Sequence, residues 1–239
     1  GNAFPFAKWT CYSHGLQSAM IVRWPGKVTP GAVTDALVEY TDITPTFVDA
    51  AGGRPDPALD GKSFMPVLTG VSDRHKSFAF GEMTTRGIIN GSDSYPIRTV
   101  RGWQYRLIWN LNPTVRFTNA CTRSPYFKSM VAAAEAGDPQ AKQLIDKYQF
   151  RPEFELYDCD ADPLEMHNLA GDPKYARVVD RLKGKLDEWM TAQGDLGIET
   201  ELDALLHQGK YRGKTRKQAV EAWQKKKAAR RRKKVPGDA

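Results

Sequence analysis

Apolar residues follow two different patterns along the chain. Up to about residue 72, short apolar runs alternate with a helical stripe, which is typical of an α/β unit. Residues 16–24 form a short, largely apolar run that ends at Pro25-Gly26, and this predicts a buried strand. Residues 38–51 carry apolar side chains at helical spacing before Gly52-Gly53, and this predicts a helix.

From Ser77 onward the pattern changes to short strands that are rich in aromatic and branched residues. The predicted strands are residues 78–80, 95–101, 103–110 and 155–157. Together they predict an antiparallel sheet. Arg98 lies inside one of these strands, so we expect it to form a structural ion pair.

Several polar residues followed by proline mark predicted helix starts in this second part. They are Ser124-Pro125, Asp138-Pro139 and Asp172-Pro173. The last opens the clearest apolar stripe of the chain, which predicts a long helix over residues 173–193 that lies across the sheet. Asp162 and Glu165 have the spacing of a capping box.

The composition indicates a globular protein with a basic end. The 239 residues are 41% hydrophobic, which is enough for one large or two small domains, and no stretch approaches the roughly 20 apolar residues that cross a bilayer. Three cysteines without pairing or metal-ligand spacing make a disulfide framework improbable. The net charge of +7 is uneven, because 13 Lys or Arg lie between Lys210 and Lys234. The 22 basic and 26 acidic residues before them make the body slightly acidic.

Lys8 lies in the short polar loop that precedes the predicted strand at residues 16–24. Such a loop can direct one positive charge into a cleft, which indicates an anion site. The surrounding motif resembles the middle of the type I sulfatases. The residues that carry the resemblance are Lys8, Thr10, Tyr12 and Gly15, then residues 23–28, 30–31, 34–38, 42–46 and 59–64. The resemblance implies that Lys8 contacts the sulfate under attack.

The second part of the chain is similar, in the order of its motifs, to the carboxy-terminal domain of the heparan N-sulfatases, the sulfamidases. The matching residues are 95–98, 106–112, 124–125 and 156–173. The resemblance implies an α/β fold of the alkaline-phosphatase-like kind. Residues 1–72 would end the large mixed-sheet catalytic domain, residues 73–200 would form a smaller antiparallel-sheet subdomain covered by a long helix, and residues 201–239 would be a basic tail, helical or disordered.

Two further residues are candidates for binding the substrate. His14 could hydrogen-bond a sugar hydroxyl or protonate a leaving group, since histidine titrates near neutral pH, and a local hydrogen bond in the loop is the alternative. Arg86 lies in a glycine-containing stretch at residues 84–93, where its guanidinium could bind a carboxylate or sulfate of an acidic sugar. A surface arginine in a hairpin loop is the other interpretation.

The nucleophile and the metal ligands of the family are not expected on this chain. In the family a formylglycine made from Cys-x-Pro-x-Arg attacks sulfur, and calcium holds the sulfate oxygens. Cys121-Thr122-Arg123-Ser124-Pro125 has arginine and proline in exchanged places and follows Lys8 instead of preceding it. Residues 158–162 resemble the start of a calcium loop, but Pro163 and Leu169 stand where that loop needs glycine and glutamate. We therefore expect a carboxy-terminal portion whose amino-terminal half is missing.

The resemblance implies hydrolysis of a sulfate ester or sulfamate on a glycosaminoglycan-type sugar, with the N-sulfated glucosamine of heparan sulfate as the leading candidate. It also implies a periplasmic or secreted enzyme, although no signal region is visible. Two alternatives stay open. One is a phosphohydrolase of the same superfamily, and the other is a non-catalytic module in which the basic tail binds polyanions such as sulfated polysaccharide or nucleic acid.

Overall fold

The computed structural model describes residues 4–84 and 94–232, with side chains up to residue 229. Its sheet consists of β1 (Ala79–Met83), β2 (Ile97–Arg101), β3 (Tyr105–Asn110) and β4 (Phe154–Asp158). The strands are neighbours in chain order and all pair antiparallel, with Ile97 opposite Asn110 and Leu107 opposite Leu156. The antiparallel sheet predicted from the strand pattern is therefore confirmed.

Short helices precede, interrupt and follow the sheet. They are α1 (Ser13–Leu16), α2 (Ile43–Ala50), α3 (Met65–Leu68), α4 (Pro125–Glu135), α5 (Pro139–Gln149), α6 (Ala176–Ala192), α7 (Ile198–Asp203) and α8 (Arg216–Arg232). Single 3-10 turns lie at Tyr40–Asp42, Cys121–Arg123, Pro173–Tyr175 and Gly209–Tyr211. None of the helices in the described ranges combines the length and the apolar character that a membrane crossing requires.

Alternation along each strand divides the core into two clusters, one on each face of the sheet. On one face, Leu107 and Leu156 pack against Leu182 and Leu186 of α6. On the other face, Ile108 packs with residues from α4, α5 and residues 4–16, including Cys11, Tyr12, Phe127 and Tyr148. The sheet is thus covered on both faces, and the predicted long helix does lie across it.

The predicted helix caps are confirmed where the polar residue precedes proline. Ser124 accepts a hydrogen bond from the Phe127 amide, and Asp138 accepts two from the amides of Gln140 and Ala141. The capping box at residues 162–165 is wrong. Glu165 has a φ of 55° and a buried side chain that turns away from residue 162, because it pairs with a buried arginine of the sheet.

The buried strand predicted at residues 16–24 is also wrong. Leu16 ends α1, and residues 17–24 form neither strand nor helix. Their side chains are largely exposed, with Ile21 at 93% and Met20 at 47%. A strand is stabilised only by a neighbouring strand and a covering layer, and neither is supplied to these residues by the described part of the chain.

Asp42 connects the first part of the chain to the sheet. Its buried carboxylate accepts hydrogen bonds from the amides of Glu39 and Lys62, and it lies 2.7 Å from the Lys76 ammonium. Burial raises the pKa of Asp42, but these hydrogen bonds and the Lys76 charge outweigh burial and hold the pKa below its ordinary value. Glu39 in turn accepts from the Phe80 amide in β1, so residues 39–42 are fixed to the edge of the sheet.

The end of the described chain folds into a small cluster of its own. Leu205 and Tyr211 pack against Ala219 and Trp223 of α8, and all four side chains are buried. Within the basic tail, α8 is helical from Arg216 to Arg232, the last residue that the structure describes.

Candidate functional site

Residues 4–16, called the lysine loop below, form a compact set of turns. Phe6 and Trp9 adopt φ values of 63° and 65°, which non-glycine residues rarely adopt. The Thr10 hydroxyl donates to the carbonyl of Ala7 at 2.7 Å. At Gly15 an added Cβ would lie 2.5 Å from the Thr10 carbonyl oxygen, so only glycine allows the chain to approach this closely.

A buried carboxylate from the turns that follow β4 holds this loop. The side chain of Glu165 accepts hydrogen bonds from the Ser13 amide at 2.7 Å and from the Ser13 hydroxyl at 3.0 Å. It also lies 2.7 Å from Nε of Arg106, which is buried in β3. Arg106 donates to the Cys11 carbonyl and to the Ser13 hydroxyl. The loop backbone is therefore fixed by a charged pair that is almost entirely removed from water.

A second carboxylate, Glu155 of β4, holds the loop through Tyr12. The Tyr12 hydroxyl donates to Glu155 at 2.7 Å, and the Tyr157 hydroxyl donates to the same oxygen at 2.5 Å. Asn110 donates to the other oxygen at 2.8 Å. Burial, followed by the charge of Glu155, raises the pKa of Tyr12 well above its ordinary value. Tyr12 therefore remains a neutral donor throughout the physiological range.

Cations complete this buried network. Lys147 of α5 donates to the Tyr157 hydroxyl at 2.9 Å, and burial lowers the pKa of its ammonium. Arg151 is buried with its guanidinium 4.0 Å from the ring centroid of Phe117 and 5.1 Å from that of Tyr12. Such contacts stabilise a desolvated cation. Two acids and three basic groups thus lie together beneath the lysine loop.

Lys8 and His14 lie on the opposite, exposed side of the loop. The Lys8 ammonium lies 4.6 Å from the centroid of the Trp9 ring, and His14 belongs to the one-turn helix α1. Two surface depressions lie elsewhere, one beside Arg116 and Lys128 and the other beside Asp187. The loop therefore presents Lys8 and His14 to solvent from a rigid base. Arg86 lies outside the described residues.

The sequence alone does not identify Glu155, Glu165 and Arg106 as the residues that hold the lysine loop, although it carries a signal for two of them. Glu155 and Arg106 interrupt strands whose neighbouring residues are apolar. A charged residue in such a strand requires a buried partner, but the sequence does not say which one. Arg98, the one strand arginine that was assigned an ion pair, makes that pair with Asp195.

The described residues do not supply a metal centre. Nowhere in the described ranges do three His, Cys, Asp or Glu side chains come together as metal ligands. Asp158 accepts hydrogen bonds from the amides of Asp160 and Ala161, and Asp162 accepts from that of His167. These aspartates make turns. The donors in the described ranges therefore do not fit a calcium site.

Comparison with known proteins identifies a family. A family model described as N-sulphoglucosamine sulphohydrolase, C-terminal, matches residues 1–113 and 128–192. An ulvan-active sulfatase of Formosa agariphila is 34% identical over 193 residues, which cover 79% of this chain and 36% of the relative. The N-sulphoglucosamine sulphohydrolase of Homo sapiens is 30% identical over 202 residues, which cover 79% of this chain and 39% of that protein. The chain therefore spans less than two fifths of the length of these curated relatives.

A solved structure supports the fold alone. It is that of a protein in complex with its substrate D-glucosamine-2-N,6-O-disulfate, and it superposes with a TM-score of 0.51 at 22% identity. The superposition covers 74% of this chain and 28% of the solved one. The α/β fold expected from the sulfatase resemblance is confirmed by this likeness.

Proposed function

This chain belongs to the N-sulphoglucosamine sulphohydrolase C-terminal family, and from that premise we propose that it is the carboxy-terminal portion of a sulfatase that hydrolyses sulfate esters or sulfamates. The observation that carries the proposal is the lysine loop. Two buried carboxylates hold the loop, Glu165 through the Ser13 amide and Glu155 through the Tyr12 hydroxyl, and the loop exposes Lys8 on the opposite side. The chain around Lys8 is thereby held in place, and its exposed ammonium is available to an oxyanion.

The proposed substrate is a sulfated sugar, with N-sulfoglucosamine of heparan-type chains as the first candidate. The relative of Homo sapiens supports this choice by its name, whereas the relative of Formosa agariphila acts on ulvan. Both relatives act on sulfated saccharides by their names, so the class of substrate has broader support than the particular sugar.

In this proposal Lys8 donates hydrogen bonds to the sulfuryl oxygens and stabilises the negative charge that shifts toward the leaving atom. His14 and Arg86 would contact the sugar and help to select it. A formylglycine nucleophile and calcium, both supplied from outside this chain, would provide the attack and the charge neutralisation. Residues 1–72 would complete the catalytic domain, residues 73–200 would support it, and residues 201–239 would form the basic tail.

Kinetics of the full-length protein test the proposal. The Lys8→Ala variant should lose about 100- to 1000-fold in kcat/KM for a sulfated glucosamine, because one charged donor to the oxyanion is removed. Lys27→Ala, which removes another exposed lysine, is the matched control and should leave kcat/KM unchanged. The 239-residue chain assayed alone should hydrolyse nothing.

Two outcomes would contradict this assignment. One is hydrolysis of an aryl phosphate at a higher kcat/KM than the corresponding aryl sulfate, which would favour the phosphohydrolase. The other is an equal effect of Lys8→Ala and Lys27→Ala on sulfate hydrolysis, which would remove Lys8 from the site.

A further inference from the structure

The last part of the described chain lies outside the match of the family model. The family model ends its match at residue 192, and α7 and α8 both follow that residue. Leu205, Tyr211, Ala219 and Trp223 form a separate core between these elements. The segment is therefore built as a small folded unit, and it needs an explanation other than the family's shared architecture.

The aromatic residues Tyr211 and Trp223 are buried in the core of this unit. Trp223 is 7% exposed and Tyr211 is 4% exposed. Ala219 and Trp223 are four residues apart, so they lie on the same face of α8 and turn that face inward. Neither ring is available to stack on a ligand, and the rest of the α8 surface remains for polar contacts.

That remaining surface is basic and has few local counter-charges. Arg216 pairs with Glu199 and Asp203 of α7, and these two acids are therefore already engaged. Six other exposed basic side chains form no ion pair with a described residue. They are Lys210, Arg212, Lys214, Lys217, Lys225 and Lys226. Like charges held on one short unit repel one another, and an anionic partner relieves that repulsion.

We propose that residues 210–229 are a binding surface for a sulfated polysaccharide, which would retain a polymeric substrate beside the enzyme; this rests on the sulfatase function proposed above. Helix α8 has 17 residues and spans about 25 Å, so it can contact several sulfate groups along one chain. Lysine is suited to this because its ammonium acts as a point charge on a flexible stem. Single-stranded nucleic acid fits less well, because its binding sites present exposed aromatic rings, and here both rings are buried.

Binding of immobilised heparin to the 239-residue chain tests the proposal. The variant Lys217→Gln/Lys225→Gln/Lys226→Gln should bind about 10- to 100-fold more weakly at moderate salt, as expected when three charge contacts are lost. The control Lys128→Gln/Lys142→Gln/Lys174→Gln removes three exposed lysines elsewhere and should retain the affinity. Replacing Lys217, Lys225 and Lys226 by arginine keeps the charge and should also retain it. All three positions are exposed, and thermal unfolding verifies that each variant remains folded.

Several results would overturn the proposal. They are no binding of heparin by the unchanged chain, equal weakening in the two glutamine variants, and equal binding of desulfated heparin. Tighter binding of duplex DNA than of heparin at the same salt would assign the surface to nucleic acid instead. No turnover is measured, so a negative result leaves the sulfatase proposal standing. Conversely, a full-length protein without sulfatase activity would leave the binding result intact.

Discussion

Residues 4–16 and residues 17–36 follow one another along the chain but differ completely in how they are held. The first segment buries Cys11 and Tyr12 and makes hydrogen bonds to two buried carboxylates, one in β4 and one in the turns that follow it. The second contains Met20, Ile21 and Val33, which are all exposed, and it forms no strand or helix. The two segments have a similar content of apolar residues, yet only the first one is fixed.

This difference shows that burial here depends on partners more than on apolarity. The lysine loop is fixed because β3 supplies an arginine, β4 supplies one carboxylate and the turns after β4 supply another. Residues 17–24 are largely apolar, yet no element of the described chain lies over them. The following changes test that contrast, beginning with the largest expected effect.

Removing the Glu165 carboxylate should release the loop from the sheet. Glu165→Ala leaves Arg106 buried without its counter-charge, and breaking such a pair costs about 3–5 kcal/mol of the free energy of unfolding. Urea denaturation measures this loss, and hydrogen exchange at the Ser13 amide should accelerate. Glu188, which pairs with Lys185 on the exposed surface of α6, is the control, and Glu188→Ala should cost about 0–1 kcal/mol. Equal losses in the two variants would show that the buried pair does not hold the loop.

Removing the Tyr12 hydroxyl should have a smaller effect. Tyr12→Phe deletes one hydrogen bond to a buried carboxylate, and such bonds contribute about 1.5–3 kcal/mol. Glu155 would keep its bonds from Tyr157 and Asn110. Tyr126→Phe alters a tyrosine that is 46% exposed and should change the free energy of unfolding by less than about 0.5 kcal/mol. If neither substitution changes the free energy of unfolding, the hydrogen bond between Tyr12 and Glu155 does not stabilise the loop.

Alkaline pH should destabilise the loop through Cys11. Burial raises the pKa of its thiol from 9.0 to about 12, so the unfolded chain loses this proton first. The free energy of unfolding should therefore be unaffected below pH 9 and fall above it by up to about 1.4 kcal/mol per pH unit for this group. Urea denaturation of the unchanged chain and of Cys11→Ala, at pH 7.5 and pH 10.5, measures the difference in slope. Parallel pH profiles would mean that Cys11 ionises freely in the folded state.

The smallest effect is expected in residues 17–24. Ile21 is 93% exposed, so Ile21→Ser should change the free energy of unfolding of this chain by less than about 0.5 kcal/mol. Urea denaturation is again the measurement. A loss above about 1.5 kcal/mol, the range for burial of a large apolar side chain, would show that Ile21 is covered in solution.

The sequence by itself determined the strands and the main helices of residues 77–193, whereas the strand that it predicted at residues 16–24 is wrong. The strands were predicted from alternation, and the starts of α4 and α5 were predicted from Ser124-Pro125 and Asp138-Pro139. The stripe of α6 predicted both its length and its position across the sheet. Such signals are reliable because capping and alternation act between residues that are close along the chain.

Only the tertiary structure decided which residues hold the lysine loop. Tyr12 meets Glu155 across 143 positions and Ser13 meets Glu165 across 152, and no local pattern encodes such pairs. Glu165 has the spacing of a cap residue but is drawn to Arg106, because a buried guanidinium without a counter-charge costs more than a lost cap. Lys8 is a site residue only by prediction from the residues around it, whereas its exposed position on an anchored loop follows from contacts that its neighbours make far away in the sequence.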